Sequence, residues 1–182
     1  MNLGPKIINR KITYKSLTTK KLTSQYKKKI LQLKIQHYKY TYSKQLLWFK
    51  NEIKQNDLHN IIFYNKKLIG YTCLRKKKYL STENQFKKNL IFDTCVIDNR
   101  YRGLGFGAML MKFNNKIIKK SKKPAFLLCK KNLISFYKKF KWEKISKKKI
   151  LFMDHDTKNL NFMCKNFKKR SNSNTKIFLN LD

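Results

Sequence analysis

Three of the five glycines in this chain fall within five residues, at Gly103, Gly105 and Gly107. Glycine permits positive φ and lets a ligand approach the main chain. In a sequence that otherwise avoids it, the cluster marks a backbone that must turn sharply or be closely approached. Arginine is scarce in the same way. Five of the 45 basic residues are arginine, and Arg100 and Arg102 flank the glycines. A guanidinium grips phosphate oxygens with a planar fork that an ammonium lacks. Upstream, residues 89–97 (Asn-Leu-Ile-Phe-Asp-Thr-Cys-Val-Ile) read as a buried strand. Downstream, apolar residues at 104, 108, 111 and 118, with 110 and 117 beside them, predict a helix over 104–120. Strand, glycine turn and helix together present backbone N–H groups at a helix N-terminus, where the dipole favours an anion. The expected ligand is a phosphate or pyrophosphate; the plain alternative is a tight strand-to-helix connection. No Gly-Lys-Ser/Thr ending is present, and alternating glycines do not fit the Gly-x-Gly-x-x-Gly fingerprint.

The pattern Arg102-x-x-Gly105-x-Gly107 after a strand resembles the acetyl-CoA signature of the GNAT family of N-acetyltransferases. Residues 125–129 (Ala-Phe-Leu-Leu-Cys), then Asn132 to Phe136-Tyr137 and Phe140-Lys141-Trp142, are similar to the family's next strand and its Leu-Tyr-x-x-x-Gly-Phe helix and turn. The resemblance runs from about Lys11 to about Cys164, with motif quality in residues 89–142. Two positions depart from the pattern. Lys141 stands where the family has glycine, and Lys130 where it commonly has an asparagine, with Asn132 offset by two. The resemblance implies an α/β (α+β) fold: a mixed, mostly antiparallel sheet of six to seven strands, about four helices, and the order β-α-α-β-β-β-α-β-α-β-β. It implies one acetyltransferase domain over residues 1–164. Residues 165–182 then form a basic polar tail, with an edge strand possible near 176–181.

The other segments fit that order. A strand is expected at 11–17 and a helix at 23–40, with Tyr26, Ile30, Leu33 and His37 on one stripe. A second helix, capped by Ser43, is expected to run through Gln55 and bury Leu47, Trp48 and Ile53. A hairpin over 60–75 turns at Asn65-Lys66-Lys67, and a polar loop covers 76–88. After the strand at 125–129 come a helix at 132–139, a strand at 148–153 and a weaker one near 159–164.

The formal charge of +36 must draw polyanions toward the chain. The excess lysine accompanies excess Asn, Ile, Phe and Tyr, as AT-rich coding would produce, and it is spread along the whole sequence. Nucleic acid is therefore expected only through non-specific charge. The four cysteines and three histidines are scattered, with no Cys-x-x-Cys, so no metal site is expected. Apolar runs are too short for a membrane span. No signal-peptide pattern is present, which points to the cytosol. Monomer and homodimer both remain open.

Aminolysis of a thioester needs an amine freed of its proton, a stabilised oxyanion and a protonated leaving thiolate. The resemblance implies direct transfer from acetyl-CoA to a primary amine. Backbone amides of Arg102, Gly103, Leu104, Gly105, Phe106 and Gly107 would cradle the pyrophosphate. Main-chain groups of Cys95, Val96 and Ile97, on a splayed strand, would meet the pantetheine, with Asn132 a further contact. Tyr137 matches the tyrosine beside the sulfur; its alternative is a core aromatic. The glutamate that histone-acetylating members carry on this strand corresponds to Ile91, and Asp93 lies two residues on, along the same face. A carboxylate in an apolar strand has either work or a partner, so Asp93 is a candidate base or amine-binding group, or half of a buried pair. Residues 42–49 and 60–75 resemble members that acetylate nucleotide-linked amino sugars. A protein N-terminus or lysine is the alternative acceptor, and a non-catalytic RNA- or ribosome-binding module the alternative class.

Overall fold

The computed structural model describes residues 12–80, 85–146, 150–152, 159–167 and 177–179. They form β1 (Ile12–Thr18), α1 (Ser24–Ile35), α2 (Tyr42–Glu52), β2 (Leu58–Tyr64), β3 (Lys67–Leu80) and β4 (Phe86–Ile97). There follow α3 (Phe106–Ser121), β5 (Ala125–Cys129), α4 (Ile134–Lys138), β6 (Glu143–Ile145), β7 (Ile150–Phe152), β8 (Asn161–Lys165) and β9 (Ile177–Leu179). The strand order is β1-β2-β3-β4-β5-β8-β6, with β9 on β3 and β7 on β9. Only β4–β5 and β7–β9 are parallel among the registers described. This is the expected mixed sheet with four helices. The short strand β6 was not expected, while β9 falls within the edge strand foreseen near 176–181. The chain clusters into two compact units, residues 1–73 with 94–114, and residues 74–93 with 115–182.

In the first unit, alternation along β2 sorts side chains between two cores. Ile61 and Phe63 join Ile30, Leu31 and Leu33 of α1 and Phe49 of α2. Ile62 joins Ile69 of β3 with Phe106 and Leu110 of α3. α3 is further fixed by Asn114, fully buried, whose Oδ1 accepts from Asn60 Nδ2 at 2.7 Å and Thr72 Oγ1 at 2.9 Å. Gly70 has a different reason from the clustered glycines: a Cβ there would collide with the side chains of Ile97 and Ile62. β2 and β3 join through Asn65-Lys66, both at positive φ (48° and 62°), as a two-residue hairpin of the primed type requires. His59 is a core residue, its ring held by Thr19 Oγ1 and the Tyr71 hydroxyl. Burial, then the charge of Lys34, lowers its pKa to about 4, so it is neutral at pH 7.

Several boundaries differ from expectation. α1 stops at Ile35 instead of Tyr40, because Gln36 and His37 bond to the end of β4 and the turn beyond it, drawing the chain off the helix axis. Thr41, not Ser43, caps α2, accepting from the Lys44 N–H at 3.3 Å. Gln45 and Phe49 are the buried residues of that helix and Leu47 is exposed. The loop expected at 76–88 is mostly strand: lysines 76 and 78 face outward while Tyr79 turns into the core.

The second unit packs Tyr79 and Ile91 with Phe126, Ile145, Phe162 and Cys164. β5 pairs with β8 along its whole length, from Ala125↔Lys165 to Cys129↔Asn161. No helix of the described residues is long and apolar enough to cross a membrane.

Candidate active site

β4 delivers the chain to Asp98, whose N–H donates to the Ile69 carbonyl at 2.7 Å. The buried Asp98 carboxylate buckles the next turn. Oδ1 accepts from the Arg100 backbone N–H at 3.1 Å and from Arg100 Nε at 3.0 Å, and Oδ2 accepts from Nη2 at 2.7 Å. The Arg100 hydrogen bonds hold this carboxyl below the usual carboxylate range. Arg100 thus shapes the turn.

Gly103 and Gly105 follow at φ 77° and 83°, while Gly107 lies in the first turn of α3 without positive φ. Leu104 is exposed and outside the helix, which begins at Phe106. Among the described residues, the N–H groups of Gly103 to Gly107 have no backbone acceptor outside the helix. The first N–H groups of α3 lack intrahelical partners and carry the positive end of the dipole. A Cβ added at Gly103 or Gly105 would meet no atom within 4 Å. N–H groups without a backbone acceptor at a helix N-terminus suit a pyrophosphate.

Arg102, exposed beside the glycines, leans on His37. His37 Nε2 lies 2.8 Å from the Ile97 carbonyl, while Nδ1 meets Arg102 Nη2. A carbonyl only accepts and a guanidinium only donates, so Nε2 carries the proton and Nδ1 accepts. His37 was expected on a helix face; it lies past the end of α1 instead. Nothing in the sequence links it to Ile97, sixty residues away. Val96 and Ile97 bury their side chains in the two cores, leaving only main chain for a ligand, and the Ile97 carbonyl is already taken by His37. Thr94 sits at φ 56° inside β4, a costly conformation for a β-branched residue. The parallel register of β4 with β5 comprises Leu90↔Ala125 and Ile91↔Phe126, ending before that kink. Burial pushes the Cys95 thiol up to about 12, so it remains a thiol at neutral pH.

In the second unit, Tyr137 of α4 is buried against Phe92 and Trp142, with ring centroids 6.1 and 6.4 Å away. The turn after α4 is tied down by Asn115, which the sequence did not single out. Its Nδ2 donates to the Phe140 carbonyl at 2.9 Å, and its Oδ1 accepts from Trp142 Nε1 at 3.2 Å. Lys141 adopts φ 61°, keeping the left-handed turn for which the family uses glycine. Asp93 faces Arg75 at 3.5 Å, with a quarter of its side chain exposed. Asn132 is exposed in the turn before α4. Among the described residues, no three His, Cys, Asp or Glu side chains gather as a metal site.

The model of the acetyltransferase (GNAT) family matches residues 24–142. The chain belongs to this family. GNAT membership makes it an acyl-CoA N-acyltransferase, with acetyl-CoA as the acyl donor. Solved structures agree on the fold. An acyl-CoA N-acyltransferase from Pseudomonas aeruginosa superposes with a TM-score of 0.63 at 15% identity, over 85% of this chain and 99% of that one. Arabidopsis thaliana Naa50, in complex with the bisubstrate analogue CoA-Ac-MVNAL, gives 0.60 at 16% identity, over 86% and 99%. Escherichia coli YhbS, in complex with CoA, gives 0.61 at 11% identity, over 85% and 80%. No curated protein matches the sequence.

Proposed function

We propose that the chain moves an acetyl group from acetyl-CoA directly to a primary amine, with a small molecule such as a nucleotide-linked amino sugar as the favoured acceptor. The observation that carries the donor half is the turn at Gly103 and Gly105, left-handed, open in front and set at the N-terminus of α3. Its amides, with the Arg102 side chain, would hold the pyrophosphate. Acetyl-CoA supplies the activated acyl group as a thioester. Main-chain groups of Cys95 and Val96 would run beside the pantetheine, and Ile97 would join them once His37 releases its carbonyl. Tyr137 would give a proton to the departing thiolate. Asp93, anchored by Arg75 and still partly exposed, would bind or deprotonate the amine. The protonated Cys95 thiol favours direct transfer over an acyl-enzyme. Residues 1–164 are taken as the catalytic domain, and the cytosol as its setting.

The acceptor class rests on the resemblance of residues 42–49 and 60–75 to amino-sugar acetyltransferases. A peptide N-terminus is the second reading. It is favoured by the exposed side chains of Tyr38, Tyr40, Tyr42 and Leu47 around the start of α2, an apolar surface that a sugar nucleotide would not need. The test is calorimetry with acetyl-CoA at physiological salt, followed by thiol release across a panel of sugar nucleotides and short peptides. Saturable acetyl-CoA binding and turnover of a sugar nucleotide are expected. Turnover of peptides alone reassigns the acceptor, and absence of acetyl-CoA binding removes the reading.

A further inference from the structure

Gln36 and His37, just past the end of α1, hold the end of β4 and the turn beyond it. Gln36 Oε1 accepts from the Asn99 N–H at 3.1 Å. His37 Nε2 donates to the Ile97 carbonyl at 2.8 Å. The helix end braces both residues: the N–H groups of His37 and Tyr38 each donate to the Lys34 carbonyl at 3.0 Å, winding the chain tightly off the axis of α1.

The Ile97 carbonyl occupies a particular place. Asp98, the next residue, gives its N–H to Ile69 of β3. Main-chain groups alternate in direction along a strand, so those of Ile97 point to the other edge of β4. β5 pairs along that edge at Leu90 and Ile91. Beyond them the edge is left by β5, and His37 covers the carbonyl of its last residue. The same ring meets the glycine turn. Arg102 Nη2 reaches Nδ1 and lies 3.3 Å from Nε2, so the guanidinium is pressed against the ring edge. One neutral imidazole thus offers an N–H to a carbonyl and a lone pair to a guanidinium. Acetyl-CoA carries the same pair of groups, an amide N–H in its pantetheine arm and anionic oxygens in its pyrophosphate.

We propose that the end of α1 is an autoinhibitory latch: His37, tethered by Gln36, stands in for acetyl-CoA on the Ile97 carbonyl and Arg102, and the cofactor must displace it. The latch presupposes the acetyl-CoA site proposed above. Displacement frees residues 36–41, so cofactor binding is coupled to the turn that carries the exposed Tyr38 and Tyr40. The competing arrangement is sharing. A carbonyl has two lone pairs and a guanidinium five N–H groups, so a shared His37 would stay in place and aim Arg102 at the phosphates. The two arrangements differ in sign. A latch opposes acetyl-CoA binding, and a shared contact assists it.

The test is calorimetry of acetyl-CoA with the wild-type chain and His37→Ala, beside hydrogen exchange of the wild type with and without acetyl-CoA. If the latched state makes up about 80–90% of the empty protein, its removal should tighten acetyl-CoA binding about five- to ten-fold, because apparent affinity scales with the competent fraction. Gln36→Ala should act in the same direction with a smaller gain, since it removes only the tether. Amide exchange over residues 36–41 should become faster when acetyl-CoA binds, as expected of a segment set free. Equal or weaker acetyl-CoA binding by His37→Ala, or slower exchange over 36–41 in the complex, would overturn the latch and leave the acetyl-CoA site standing. Absence of binding by both proteins would remove the site itself, and the latch with it.

Discussion

The turn at Gly103 and Gly105 and the turn at Lys141 solve the same backbone problem with different residues. All three positions lie in the left-handed region, at φ 77°, 83° and 61°. Asn65, Lys66, Thr94, Lys122 and Asn166 are there as well. This chain therefore accepts asparagine, lysine and even threonine wherever turning is the only demand, at a cost of about 1–2 kcal/mol for an ordinary side chain. Positive φ alone does not explain why glycine persists at 103 and 105. Open space does. A Cβ at either position would meet no atom within 4 Å beyond its chain neighbours. At Lys141 the backbone turns; at Gly103 and Gly105 it turns and, on the proposed function, would also have to stay bare for the pyrophosphate.

The largest expected effect breaks that comparison at its sensitive end. Gly105→Asp would place a carboxylate against the pyrophosphate of the proposed site. Two like charges about 4 Å apart near a protein surface repel by about 4 kcal/mol per charge pair, close to a thousand-fold in affinity. Calorimetry should therefore show acetyl-CoA binding lost or reduced by at least about a hundred-fold. Gly105→Asn sharpens the point, because asparagine tolerates left-handed backbone. Its melting temperature should stay near wild type while acetyl-CoA affinity still falls. An asparagine variant with full affinity would mean that glycine is kept for conformation after all.

The same contrast accounts for what could be read in advance. The glycine turn was legible because Gly103 and Gly105 turn at positive φ in a chain that otherwise avoids glycine, so residue choice itself marked the positions. The strand before it and α3 after it were legible from apolar runs. Side chains with ordinary second uses were not. Asp93 has a partner in Arg75, and Tyr137 packs as a core aromatic would, so position alone leaves both roles open. His37 and Asn115 left no trace in the sequence, since each acts on a carbonyl that only folding brings near. The lysines at 76–78 misled in the other direction. Their polarity reads as loop, yet alternation with a buried Tyr79 makes them strand.

A smaller effect is expected where chemistry depends on a side chain. Tyr137→Phe keeps the ring contacts with Phe92 and Trp142 and removes only the hydroxyl. A general acid typically contributes a hundred-fold or more, so turnover of an accepted amine should fall by about that factor. Acetyl-CoA affinity should stay within about two-fold, because the proposed pyrophosphate contacts are backbone groups of the glycine turn and not this side chain. Turnover equal to wild type would return Tyr137 to a packing role.

The smallest effect is expected at Lys141, and its sign is opposite. Lys141→Gly removes the clash of a Cβ with left-handed backbone but raises the entropy of the unfolded chain, which offsets part of the gain. The backbone carbonyls of Phe140 and Lys141 also accept from Lys165 Nζ, at 2.9 and 3.3 Å, and those bonds do not depend on the residue-141 side chain. The net gain should be about 0.5–1 kcal/mol, a rise of a few degrees in melting temperature for a chain of this size. Acetyl-CoA affinity should not change. A stability loss would show that the lysine side chain holds the turn through contacts of its own. A gain in affinity would show that the two turns are coupled, and that bareness matters at Lys141 as it does at Gly105.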